Sequence, residues 1–226
     1  MTAPVSVIIP TFNSAAVLGK TLEPLFAGLH QGLICELILT DGGSQDDTAQ
    51  IAHDLGAVWV AGPPSRGGQI SRAVDVAQGE WVLILHSDTQ LPRHWVDLCL
   101  AHMDSPDAGY FDLSFDQAGL AARWTAAWAN MRSRIFGLPY GDQALFVRKS
   151  LLGAVGGYPD IPLMEDVALA KRLSGRLRPL RGAVITRADK YQNRGWARQG
   201  ARNITMLLRY LCGADPQRLF DRYYRG

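Results

Sequence analysis

The chain has few of the features that would place it outside ordinary soluble chemistry. Its 226 residues include only three cysteines, Cys35, Cys99 and Cys212, far apart and with no C-x-x-C pair, which excludes a disulfide framework and a structural zinc site and fits a reducing cytoplasm. No apolar run is long enough to cross a bilayer: the stretch 5–9 is too short and lacks a basic leader before it, and 204–212 is broken by Arg209. A cytoplasmic chain without export signal is expected. Neither common phosphate loop is present, because the turn after the first apolar run has no glycine and no G-x-x-x-x-G-K-[ST] occurs. Dinucleotide dehydrogenases and P-loop enzymes are thereby disfavoured, as is a nucleotidyltransferase, which needs a Gly-rich N-terminal loop with a basic residue after it. Repeats and low-complexity tracts are absent too, so residues 1–226 are expected to form one domain.

What the chain does have is apolar content, 47% hydrophobic, enough for a sizeable core. The net charge of +2 hides a polarity. Through Ala170 there are nine Lys and Arg against eighteen Asp and Glu; from Lys171 onward there are fourteen against three. A basic C-terminal quarter seeks an anionic partner or docks on its own acidic remainder.

Short β-branched runs alternate with helical patterns over the first 90 residues, predicting βαβ units and a mostly parallel α/β sheet. Strands are expected at 5–10, 35–41, 57–61, 80–86, 110–115 and 180–186. Leu18, Leu22, Leu25 and Leu29 mark one core-facing helix behind a cap at Asn13 or Ser14. Further helices are expected after Ser44, carrying Ile51, Ala52 and Leu55 inward, and at 68–78, 120–136, 150–155, 164–173 and 196–211. Trp124 and Trp128, four apart, share a face expected to be core or acceptor-side wall.

Ligands of open parallel sheets sit at the C-terminal strand ends. There lie Pro10-Thr11-Phe12-Asn13, Asp41-Gly42-Gly43-Ser44 and His86-Ser87-Asp88, three strand ends on one rim. Asp41 suits a base N–H or ribose hydroxyl and equally suits a helix-capping turn. Arg66-Gly67-Gly68 at a helix start offers a guanidinium and free N–H groups to a diphosphate. His86 and Asp88, alternate residues of an extended segment, point the same way and would share a metal or its water shell; a capping Asp beside an incidental His is the plainer reading. Asp142 and Gln143 after Gly141 are either readers of acceptor hydroxyls or turn residues.

Together these segments resemble the inverting family-2 glycosyltransferases of GT-A fold. The resemblance rests on 6–13, on 36–44 with Asp46-Asp47-Thr48, on the short motif at Asp88 and on Glu165-Asp166, in the expected order. It implies a nucleotide-sugar-binding half at 1–115 and an acceptor-binding half with basic C-terminal helices at 116–226, a nucleotide-diphosphate sugar donor, UDP by family habit, and a divalent metal, Mn²⁺ or Mg²⁺. It also implies roles: base contact for Asp41, donor contact for Arg66, metal for Asp88 with His86 in place of the first carboxylate, and general base for Asp166 beside acceptor-side Glu165. Pro10, Thr11 and Asn13 complete the donor rim, and Arg194 with Trp196 resembles, one residue out of register, the Q-x-x-R-W motif of processive relatives. Two departures, His86 and Gly42, leave an imidazole where a hard-ion carboxylate is usual, which favours Mn²⁺.

The segments 86–92, 141–149 and 162–166 further resemble a compact bacterial branch labelled arsenosugar-biosynthesis glycosyltransferases. A non-catalytic nucleotide-sugar binder is the competing expectation, against which Glu165-Asp166 weighs, and no nucleic-acid partner is expected. The helix at 196–211, with Trp196, Ile204, Leu207, Leu208 and Leu211 on one face and arginines beside it, predicts peripheral contact with an anionic membrane near a small-molecule or lipid-linked acceptor.

Overall fold

The computed structural model of the chain describes residues 3–224, without the side chain of Tyr224. Strands β1 (Val5–Thr11), β2 (Ile34–Asp41), β3 (Val58–Ala61) and β4 (Trp81–Ile84) pair in parallel in the order β3-β2-β1-β4. The predicted βαβ half is thus present, with each strand within two residues of its expected bounds. The runs of β1 and β4 are near-continuously apolar because both faces are covered, while the edge strand β3 stays largely exposed. Val5, Val7 and Ile9 point into one core cluster and Ile8 into the other, on opposite sides of the sheet.

Beyond β4 the sheet continues through β7 (Leu145–Arg148), β6 (Ala108–Phe115), β8 (Leu177–Thr186) and the two-residue β5 (Thr89–Gln90). Strand β7 is antiparallel to both neighbours, β6 and β8 are parallel, and β5 returns antiparallel on β8. This half was predicted as isolated strands only, and the 145–148 strand was not predicted at all.

One predicted helix is two. Pro24 cannot donate the backbone bond that would continue the first, so α1 (Ala15–Leu22) stops and α2 (Leu25–His30) restarts at a new angle, leaving Leu29 exposed. Ser14 is the N-cap of α1 but makes no side-chain capping bond. Helix α3 (Thr48–Asp54) buries Ala52 while Leu55 stays outside. Helix α4 (Arg66–Val76) starts two residues early because the Ser65 hydroxyl accepts from Gly68 N–H at 3.2 Å. Helix α5 is Trp95–His102, α6 Leu120–Phe136, α7 Lys149–Ala154, α8 Glu165–Arg172, α9 Asp189–Arg194, α10 Trp196–Leu211 and α11 Pro216–Tyr224. Trp124 and Trp128 do share a face of α6, but it is an outward face that belongs neither to the core nor to the lining of the pocket described below, against the expectation of core or acceptor-side wall. No helix among the described residues is long and apolar enough to cross a membrane.

Candidate active site

The polar ends of β1, β2 and β4 meet on one rim, as their order requires. At β2, Asp41 is almost fully buried and its carboxylate is completely used. Oδ1 accepts from Thr11 Oγ1 at 2.9 Å and Ser44 Oγ at 2.5 Å; Oδ2 accepts from the N–H groups of Gly43 and Ser44, both at 2.7 Å. Four bonds saturate a carboxylate. Asp41 therefore shapes the 42–44 loop, and no lone pair is left for a base N–H. Asn13, in the left-handed region at φ 49°, braces the same loop: its side chain accepts from Gln45 N–H at 2.8 Å and its own N–H donates to Ser44 Oγ at 2.8 Å. Pro10 sits half-buried at the end of the same strand. Ser14 Oγ, 3.1 Å from Ser87 Oγ, joins this loop to the one after β4.

A pocket opens beside that rim, lined by Arg66, His86, Asp88, Tyr140, Asp142, Glu165 and Asp166, with Arg187, Lys190, Tyr191 and Tyr223 on its far wall. Asp166 is the second residue of α8. Its Oδ1 accepts from Val167 N–H at 2.7 Å and its Oδ2 from Gly141 N–H at 2.9 Å, so the helix start and a facing loop hold the carboxylate as expected. The sharp entry to α8 is made by Met164, left-handed at φ 65°.

Glu165, next to it, is 1% exposed; Arg66 Nε lies 3.9 Å from its Oε1, and its Oε2 has no hydrogen-bond partner. Burial, reinforced by the Asp166 charge and opposed by Arg66, pushes its pKa up to about 8. Asp142 likewise has a buried, unpartnered Oδ1, and burial pushes its pKa up to about 6.

Four expectations are corrected. Gln143 is not an acceptor contact but fully buried: its Oε1 accepts from Ser133 Oγ at 2.6 Å and Arg132 Nη2 at 3.2 Å, and its Nε2 donates to Phe111 O at 3.1 Å. The N–H groups at the start of α4 are not free for a diphosphate, since Gly67 N–H donates to Ile161 O and Gly68 N–H to Ser65 Oγ; only the Arg66 side chain reaches the pocket. Arg194 is exposed, points to Gln199 Oε1 at 3.5 Å and lies off the pocket, where Arg187 and Lys190 stand instead.

His86 and Asp88 are not alternate residues of a strand, because β4 ends at Ile84 and they occupy the turn after it. Arg66 Nη2 is 3.2 Å from both ring nitrogens of His86, so the guanidinium lies over the ring instead of on one lone pair. Burial and the nearby Arg66 and Lys190 charges hold the His86 pKa well below its usual value. With the guanidinium over its ring, His86 does not present a free nitrogen lone pair to a metal. Among the described residues no three His, Cys, Asp or Glu side chains form a metal cluster. Asp88 lines the pocket with a carboxylate, the oxygen-donor type that suits a hard divalent ion.

Several lining residues escaped the sequence reading: Tyr140, whose ring the Arg132 guanidinium covers at 3.4 Å, and Lys190, Tyr191 and Asn203 on α9 and α10. For Lys190 the one signal was the basic C-terminal bias; the others left none.

The sequence profile of Glycosyl transferase family 2 matches residues 6–148. The chain belongs to that family. It is 32% identical over 170 residues to the PGL/p-HBAD biosynthesis glycosyltransferase of Mycobacterium bovis (strain BCG / Pasteur 1173P2), a match covering 70% of this chain and 64% of that one; the chain thus spans under two thirds of the length of that relative. These names support the family and not the narrower arsenosugar branch. Among solved structures, S. aureus TarS 1–349 in complex with UDP-GlcNAc superposes with a TM-score of 0.61 at 18% identity, covering 81% of this chain and 58% of that one. Glucosyl-3-phosphoglycerate synthase from Mycobacterium tuberculosis in complex with Mn²⁺, UDP-glucose and phosphoglyceric acid superposes with a TM-score of 0.60 at 20% identity, covering 93% and 80%. The fold is of the GT-A type, as expected.

Proposed function

We propose that this family-2 protein transfers a sugar from a UDP-sugar to an acceptor hydroxyl with inversion, in the cytoplasm, and that Asp166 is its general base. The observation carrying this is the division of labour between adjacent carboxyls. Glu165, kept protonated at neutral pH by its burial, has no capacity to take a proton, whereas Asp166 is held by two backbone N–H donors and faces the pocket. Asp166 removes the acceptor's hydroxyl proton as that oxygen attacks the anomeric carbon, the bond to the diphosphate breaks on the opposite face, and the diphosphate leaves with the electron pair. Arg66, with Lys190 and Arg187 on the far wall, offers positive charge to the departing group. A divalent ion held by Asp88 and the donor's own phosphates would add Lewis-acid stabilisation there. The donor assignment is supported by the UDP-sugars and UDP bound in fold neighbours.

The test is Asp166→Asn in a donor-hydrolysis and transfer assay with a panel of nucleotide sugars. Folding and donor binding should persist while turnover falls by on the order of a hundredfold or more. Turnover within a few-fold of wild type would move the base to Asp142. A wild-type protein that binds donor and turns over none of the panel would favour the non-catalytic alternative.

A further inference from the structure

Helix α6 has two unlike faces. Inward it presents Ala122, Ala129, Arg132 and Ser133, all buried. Outward, Leu120, Trp124, Trp128, Met131 and Ile135 follow at i, i+4, i+8, i+11 and i+15, a stripe about 100° wide. All five are exposed, Leu120 at 79% and Trp124 at 76%. Nothing within the described chain covers this stripe, and contiguous apolar surface of this kind marks an interaction site.

The occupant is indicated by charge. Arg123 and Arg134 run along one edge of the stripe, each a turn or less from it; Arg134 is paired with Asp112 at 2.5 Å, so among the described residues Arg123 carries the unshared charge there. Helix α10 packs beside α6 and repeats the design, with Ile204, Leu208 and Leu211 exposed and Arg198 and Arg209 flanking them. The α10 face is narrower than the sequence suggested, because Trp196 turns inward and stacks on Tyr191 at 4.9 Å. Both helices belong to the acceptor-side half, whose last part, from Lys171, carries fourteen basic residues against three acidic ones. A protein partner could use apolar stripes alone. Tryptophans at the centre with arginines along one edge match the layered chemistry of a lipid headgroup region, where indoles lie at the boundary and guanidinium groups meet phosphate.

We infer that the outer faces of α6 and α10 form a peripheral docking surface for anionic phospholipid membranes, with Trp124 and Trp128 as its anchors. This stands apart from the transfer reaction, since none of these side chains lines the pocket.

The full chain is tested by co-sedimentation with vesicles of phosphatidylcholine containing phosphatidylglycerol, and with phosphatidylcholine alone, at low and moderate salt. Binding is expected to the anionic vesicles and to fall as salt rises. The Trp124→Glu/Trp128→Glu double variant should bind about tenfold more weakly or less. Both side chains are exposed, so the fold should survive; should it not, quenching of wild-type tryptophan fluorescence by brominated lipid, reduced in Trp124→Phe, gives the same answer. Absence of wild-type binding to anionic vesicles at low salt overturns the inference. So does equal binding by a folded double variant, or a dimer in sedimentation velocity that the double variant dissociates while vesicle binding stays unchanged.

Discussion

Two groups of carboxylates stand at the strand ends and differ in one respect. Asp41 accepts four hydrogen bonds from its own loop, whereas Asp142 and Glu165, a short way across the rim, each bury an oxygen that nothing in the protein satisfies. A saturated buried carboxylate builds structure; an unsatisfied one is a cost that only a ligand or a proton relieves. The first half of the rim is therefore scaffold and the second half is where chemistry is poised.

Replacing each carboxylate sharpens that contrast. Asp41→Ala should show the largest effect on folding, a loss of about 3 kcal/mol by urea denaturation, since it orphans Thr11, Ser44 and two backbone N–H groups. A cost under about 1 kcal/mol would mean the loop holds itself.

The next effect is on pH dependence. Glu165 has its pKa raised from 4.5 to about 8, so the folded state binds more protons than the unfolded state between those values. The Glu165 contribution to stability should therefore fall as pH rises through that window, against an opposite contribution from the depressed His86, and Glu165→Gln should remove it from the slope. Denaturation midpoints taken from pH 5 to 8.5 for both proteins, a range that lies inside and just above this window, check the sign: the wild-type midpoint should lose ground to that of Glu165→Gln as pH rises, and a difference that stays constant or runs the other way would refute the assignment.

The smallest effect is expected at Asp142. Because its Oδ1 is unsatisfied, Asp142→Asn should change stability at neutral pH by less than about 1 kcal/mol, in either direction, while altering acceptor affinity. A loss as large as that of Asp41→Ala would erase the distinction between the two groups.

The strand ends were legible because a βαβ repeat writes its own punctuation, apolar run, polar end, helix, whereas Asp166 was singled out by the resemblance at Glu165-Asp166 and by its place at a predicted helix start. Pro10, Thr11, Asn13 and Asp41 lie where that pattern put them, although their bonds turn toward one another. What stayed hidden depends on contacts distant in sequence. Gln143 looks like a turn residue until β6 and α6 close around it. His86 looks like a ligand until α4 lays Arg66 on its ring. Lys190 reaches the pocket only because β8 pairs with β6 and ends there. The break at Pro24 was visible in the sequence, but the regular leucine spacing outweighed it.

Gln143 has one more consequence. It is clasped by Ser133 and Arg132 of α6, and two residues before it Gly141 donates its N–H to Asp166. A β-carbon at Gly141 would come within 2.5 Å of His86 Nε2, so that short loop has no slack on its other side. Helix α6 thus takes part in placing the proposed base: its inner face clasps Gln143, and the three-residue loop 141–143 between them carries the N–H that donates to Asp166.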